Sequence, residues 1–98
     1  MAYRSGTKLT FTPAWADMTP DQRQAEQVAA MEIVAKFGGE NEGQWWLWTD
    51  QALLSITSYP DEASGMKALM AIVARGAFEL QSQTALSLEE IAGLQAGI

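Results

Sequence analysis

Residues 40–59 lie between two strongly signposted helices, and that interval has room for two strands and a turn. The first helix opens at "TPDQ": Thr19 supplies the N-cap, Pro20 takes the first helical position, Asp21 suits the dipole, and Gln22 completes a capping box. It runs to Phe37 and stops at Gly38-Gly39. The second helix opens at Pro60-Asp61, with Asp61 as the cap, and stops at Gly76. Between them, after a polar loop "ENEG", stand "QWWLWT" and "ALLSITSY", two strand-like runs joined by a tight turn at Asp50-Gln51.

The flanks complete the pattern. Upstream, "TKLTFTP" alternates Leu9 and Phe11 against Thr10 and Thr12, the signature of a half-buried strand, and Pro13 ends it before a loop "AWADM". Downstream, "AFELQSQTAL" is a fourth strand. "SLEE" then sets Ser87 against Glu90 in a second capping box that opens a short helix through Leu94. The order is β-α-β-β-α-β. With right-handed crossovers this predicts one α+β domain over residues 1–98: a ferredoxin-like, four-stranded antiparallel sheet, two helices on one face, and a short C-terminal helix. The helix stripes facing the sheet are predicted as Ala30, Ile33, Val34 and Phe37 in the first, and Met66, Leu69, Met70 and Val73 in the second.

Such a sheet leaves one face without a cover from its own chain. Strand two should then alternate apolar with polar, yet Trp45, Trp46, Leu47 and Trp48 are apolar on both faces. A two-residue turn pairs Leu47 with Leu54 and Trp45 with Ile56; that set is placed toward the helices, leaving Trp46, Trp48 and Leu53 on the open face. A three-residue turn exchanges the two sets. Indole rings left wet forfeit several kcal/mol in so small a domain, at about 25 cal/mol per Å². The expectation is a homodimer formed through the open face by Trp46, Trp48 and Leu53; the alternative is that "WWLW" sits beneath the terminal helix or an N-terminal arm of the same chain.

Composition removes whole classes of chemistry. No His and no Cys means no histidine base, no thiol nucleophile, no thiolate or histidine metal site and no histidine-held haem. A net charge of -6, with only six Lys and Arg, supplies neither a phosphate-binding face for nucleic acid nor a basic patch for anionic membranes. No apolar run is long enough to cross a bilayer and the start lacks an apolar signal region, so a cytoplasmic home is expected. The acidic residues lack calcium-loop spacing, and no cofactor or metal is called for.

Five residues are candidates for a ligand site. Glu26 lies in line with the apolar stripe; its carboxylate either faces the space between helix and sheet, or stands in water paired with Arg23. Trp15, in the loop after strand one, either closes over a pocket or plugs the end of the core. Tyr59, ending strand three, either donates to a ligand oxygen or is structural. Phe11 and Trp45 supply apolar lining from strands one and two.

Three stretches carry a family likeness: "GGENEGQWWLW", "ALLSITSYPDEASGMKALMAI" and "FELQSQTALSLEEI". Together they resemble the GYD-domain family, within the dimeric α/β-barrel group of ferredoxin-like proteins, over nearly the whole chain. The turn that names the family stands here as Thr49-Asp50-Gln51-Ala52-Leu53, without its Gly, Tyr and Asp. The resemblance implies the fold and a dimer. The first functional reading is a dimeric protein binding a small apolar or aromatic molecule without catalysis. The second, by analogy with that group, is a cofactor-independent monooxygenase- or cyclase-like enzyme using Glu26 or Tyr59 as acid or base. The position of the Glu26 carboxylate separates them.

Overall fold

The computed structural model describes residues 2–98. Its strands are β1 (Tyr3–Phe11), β2 (Glu40–Leu47), β3 (Ala52–Tyr59) and β4 (Phe78–Thr84). Its helices are α1 (Pro13–Ala16), α2 (Pro20–Lys36), α3 (Glu62–Ala74) and α4 (Leu88–Ala96). The sheet order is β2-β3-β1-β4, antiparallel throughout, with α2 and α3 over one face. This is the expected ferredoxin-like α+β arrangement.

The helix boundaries follow from capping chemistry. Thr19 and Gln22 form the reciprocal capping box at the head of α2, and Ser87 and Glu90 form another at the head of α4. The Asp61 carboxylate accepts from the Ser64 backbone N–H to start α3. Gly38, at φ 78°, lets α2 end in a Schellman turn: its N–H donates to the Ala35 carbonyl, and that of Gly39 donates to Val34.

Strand limits moved further. β1 starts at Tyr3 because Tyr3–Ser5 pair with Thr57–Tyr59, pairing that the polar run "RSG" conceals. β2 starts at Glu40, so "ENEG" is strand, with a bulge between Asn41 and Gly43. The β2–β3 turn takes four residues, Trp48–Gln51, with Gln51 at φ 50° and the Gln51 amide donating to the Trp48 carbonyl. Trp48 therefore leaves the strand and stands 78% exposed in the turn. The expected loop "AWADM" is partly helical: the one-turn helix α1 starts at Pro13 and ends at Ala16.

The register corrects the expected faces. Trp45 pairs with Leu54 and Trp46 with Leu53, so the two predicted sets hold together but point the other way. Trp46 and Leu53 face the helix layer: the Trp46 ring lies 6.3 Å from Phe11, and Leu53 lines a space beneath α2. Trp45, Leu54 and Ile56 occupy the outer face, so Trp46, Trp48 and Leu53 are not its surface and Trp45 is not on the helix side. The prediction sent apolar Leu54 and Ile56 inward and polar Ser55 and Thr57 outward; the sheet does the reverse.

A second correction concerns α3. Gly65, Ala68 and Ile72 are its buried positions, while Met66 (48%), Met70 (69%) and Val73 (48%) are exposed. Small residues face the sheet because the Tyr3 and Tyr59 rings press on Gly65; a Cβ there would sit 3.0 Å from Tyr3. The buried cluster is small, Ile72, Ala77 and Phe78, and α2 buries no residue fully.

Candidate functional site

The helix side of the sheet is built in cross-strand rows. One row is apolar: Trp46, Leu53, Leu9 and Leu80. Beyond it, Phe11 pairs with Phe78. The next two rows are polar: Gln44, Ser55, Thr7 and Ser82, then Asn41, Thr57, Ser5 and Thr84. Period-two alternation puts every member of a row on the same face. The strand side that normally forms a core thus carries an amide and hydroxyl floor.

Buried polar groups require partners, and this floor supplies them laterally. The Asn41 amide nitrogen donates to Ser55 Oγ at 2.7 Å and reaches Thr57 Oγ1 at 3.4 Å. Thr7 and Ser82 hydroxyls share a hydrogen bond of 3.0 Å. Ser5 Oγ, fully buried in the same row as Thr57, has no partner among the described residues.

Above the floor α2 and α3 do not close down. A cavity of about 280 Å³ remains, roofed by Ala30, Met31, Val34, Leu69 and Ile72; its floor is apolar at one end, with Leu9, Leu53 and Leu80, and polar at the other, with Thr7, Asn41, Gln44, Ser55 and Thr57, and Tyr59 beyond. The exposed members of the lining, Met31, Ala35, Asn41 and Gln44, lie on α2 and the edge strand β2. The mouth is therefore at that edge. Among the described residues no Asp, Glu, Lys or Arg lines the cavity. Tyr59 is its one titratable group; burial pushes its phenol above the ordinary value and Tyr3 adds to the rise, so it is a hydrogen-bond donor at neutral pH.

The remaining candidates fall elsewhere. Phe11 and Trp15 stack at 4.5 Å and meet Phe78 at 6.0 and 5.3 Å. They form an aromatic wall past the apolar end of the cavity, outside its lining. The Arg23 guanidinium holds Trp15 in place, donating to its carbonyl at 3.1 Å and lying 5.4 Å from its ring centroid. Glu26 is neither in the cavity nor paired with Arg23. It accepts two hydrogen bonds from Arg75, at 2.9 and 3.0 Å, joining α2 to the end of α3. The Arg75 hydrogen bond holds its carboxyl below the ordinary glutamate value. Trp45 lies on the outer face, its ring folded over Gly43.

Sequence reasoning missed Thr7, Asn41, Gln44, Ser55 and Thr57. The available signal was polar alternation at period two in two strands at once, Ser5-Thr7 and Ser55-Thr57, in register with each other. Among the described residues no cluster of acidic side chains is suited to a metal ion. Nor is any helix long and apolar enough to cross a membrane.

The GYD domain family model matches residues 7–94. The chain belongs to the GYD-domain family. No curated protein matches this GYD domain in sequence. Among solved structures it is similar to chlorite dismutase from Candidatus Nitrospira defluvii, both in complex with imidazole and as the W146Y R173Q variant. Each has a TM-score of 0.65 at 14% identity, with 94% of the GYD domain and 43% of the dismutase covered. The domain thus spans less than half of that protein. It is also similar to SnoaB from Streptomyces nogalater, described as a cofactor-independent oxygenase, as the N63A variant. There the TM-score is 0.51 at 10% identity, over 89% of this chain and 93% of that one. At these identities the likeness concerns the fold, the ferredoxin-like unit of α/β-barrel proteins.

Proposed function

We propose that this GYD domain is a homodimeric binding protein that takes a small apolar or aromatic molecule into the cavity beneath α2 and α3, without catalysing a reaction. The observation that carries the reading is the inverted sheet: Ser55 and Thr57 line part of the floor of an unfilled space, while Leu54 and Ile56 of the same strand turn outward. A chain with a sparse core gains nothing from directing Ser55 and Thr57 inward unless that surface meets something. Turning Leu54 and Ile56 outward likewise costs stability unless a second copy covers them.

An acid–base enzyme is the weaker reading. Glu26 is engaged by Arg75 and is not among the lining residues, and Tyr59 retains its proton, leaving a donor but no base. The cofactor-independent oxygenase activity attributed to SnoaB does not carry over without such a group.

Naphthalene, an apolar ring small enough for the cavity, tests the location. In methyl-resolved NMR titration, shifts are expected at Val34, Leu53, Leu69 and Ile72. Replacing Ala30, which faces the cavity, by Phe should abolish them while preserving the fold. Shifts concentrated at Leu54 and Ile56, or none at all, would contradict the cavity as the binding site.

A further inference from the structure

We infer that the cavity selects an uncharged ring compound bearing hydroxyl or carbonyl groups along one edge, held edge-on against the hydroxyl and amide floor. This inference rests on the cavity-binding reading and adds the chemical class of the occupant.

Charge comes first. Among the described residues the lining contains no cationic or anionic side chain, and the candidate carboxylate, Glu26, lies outside it and is paired with Arg75. A carboxylate or ammonium entering this space would lose its water and meet no counter-charge, a cost that neutral hydrogen bonds do not offset. Neutral ligands escape that cost.

The division of polarity sets the orientation. The roof, Ala30, Val34, Leu69 and Ile72, offers only carbon. The floor offers Leu9, Leu53 and Leu80 at one end and, at the other, the Thr7, Ser55 and Thr57 hydroxyls, each both donor and acceptor, with the Asn41 and Gln44 amides at the mouth. The Asn41 nitrogen is occupied by Ser55, which leaves its carbonyl oxygen available as an acceptor. Neighbouring strands stand about 4.8 Å apart, and same-face residues along a strand about 6.7 Å. Floor groups at those spacings match polar substituents along the edge of a ring system, whose hydrocarbon edge then meets the roof. The floor hydroxyls already bond one another or Asn41, and each keeps further donor or acceptor capacity. A ring lying flat, or a ligand without polar groups, would leave that capacity unused.

Three ligands of matched shape separate the outcomes: naphthol, naphthalene and naphthoate, titrated into the full chain and followed by the same methyl resonances. Naphthol is expected to bind about tenfold or more tightly than naphthalene, and naphthoate more weakly than either. Ser55→Ala should reduce naphthol binding about fivefold or more, whereas Ser58→Ala, on the outer face, should not. If naphthoate binds as tightly as naphthol, or if naphthalene equals naphthol and Ser55→Ala changes nothing, the ligand class is wrong although the cavity stands. If none of the three shifts Val34, Leu53 or Ile72, the cavity reading itself fails.

Discussion

Single atoms decide several features of this domain, and Gly39 is the clearest. A Cβ at that position would lie 2.6 Å from Val34 Cγ1 and 2.7 Å from the Tyr59 ring. Gly39→Ala therefore has to displace the last turn of α2 from the end of β3. The expected cost is about 1–3 kcal/mol, seen as a lower urea midpoint at an unchanged slope; a midpoint within error of wild type would refute the tight approach. The same scale shows where sequence reading falls short. Ser55 and Thr57 look like solvent-facing residues because the handiest rule sends polar side chains outward. Nothing in "ALLSITSY" alone reveals that the outward direction is reserved for Leu54 and Ile56. Tyr59 stood open in the sequence between a donor and a structural residue; it lines the cavity, and its ring also packs against Gly65.

At the level of elements, helix starts and stops were readable because capping is local chemistry: Thr19, Asp61 and Ser87 cap as their neighbours imply. Strand starts were not, because pairing partners lie far away in sequence. Tyr3–Ser5 and Glu40–Gly43 become strand only through β3. The buried side of α3 was also misread, since Met66, Met70 and Val73 obey the same spacing as Gly65, Ala68 and Ile72 and are more apolar. One contact between elements is sensitive to pH. Arg75 lowers the Glu26 carboxyl in the folded state, so the pair's contribution is fully present above the unfolded value, about 4.3, and is lost as the pH falls through the folded one. Glu26→Gln should cost about 0.5–1 kcal/mol at neutral pH, with the gap to wild type closing below about pH 4. A gap that stays constant down to acid unfolding would mean that the ion pair contributes nothing.

For the molecule as a whole, the two sheet faces make one statement. The helix face carries two polar rows beside an apolar one along the cavity, and the outer face carries Trp45, 54% exposed, with Leu54 and Ile56 beside it. A Trp buries roughly 150–250 Å² in all, so covering the exposed half of Trp45 is worth about 2–3 kcal/mol at 25 cal/mol per Å². The tryptophan-rich strand made an uncovered apolar face legible from sequence; which indole belonged to it was not, because face assignment hangs on the helices rather than on the turn. Glu at both Leu54 and Ile56 should yield a monomer or an aggregate, whereas Trp48→Glu, in the turn, should leave assembly unchanged. The most direct test is the solution mass of the unaltered chain, by light scattering after size exclusion at micromolar concentration. Twice the 10.7 kDa chain mass is expected; a clean 10.7 kDa species would mean that the outward Leu54, Ile56 and Trp45 need no second copy, and the account of the inverted sheet would fall.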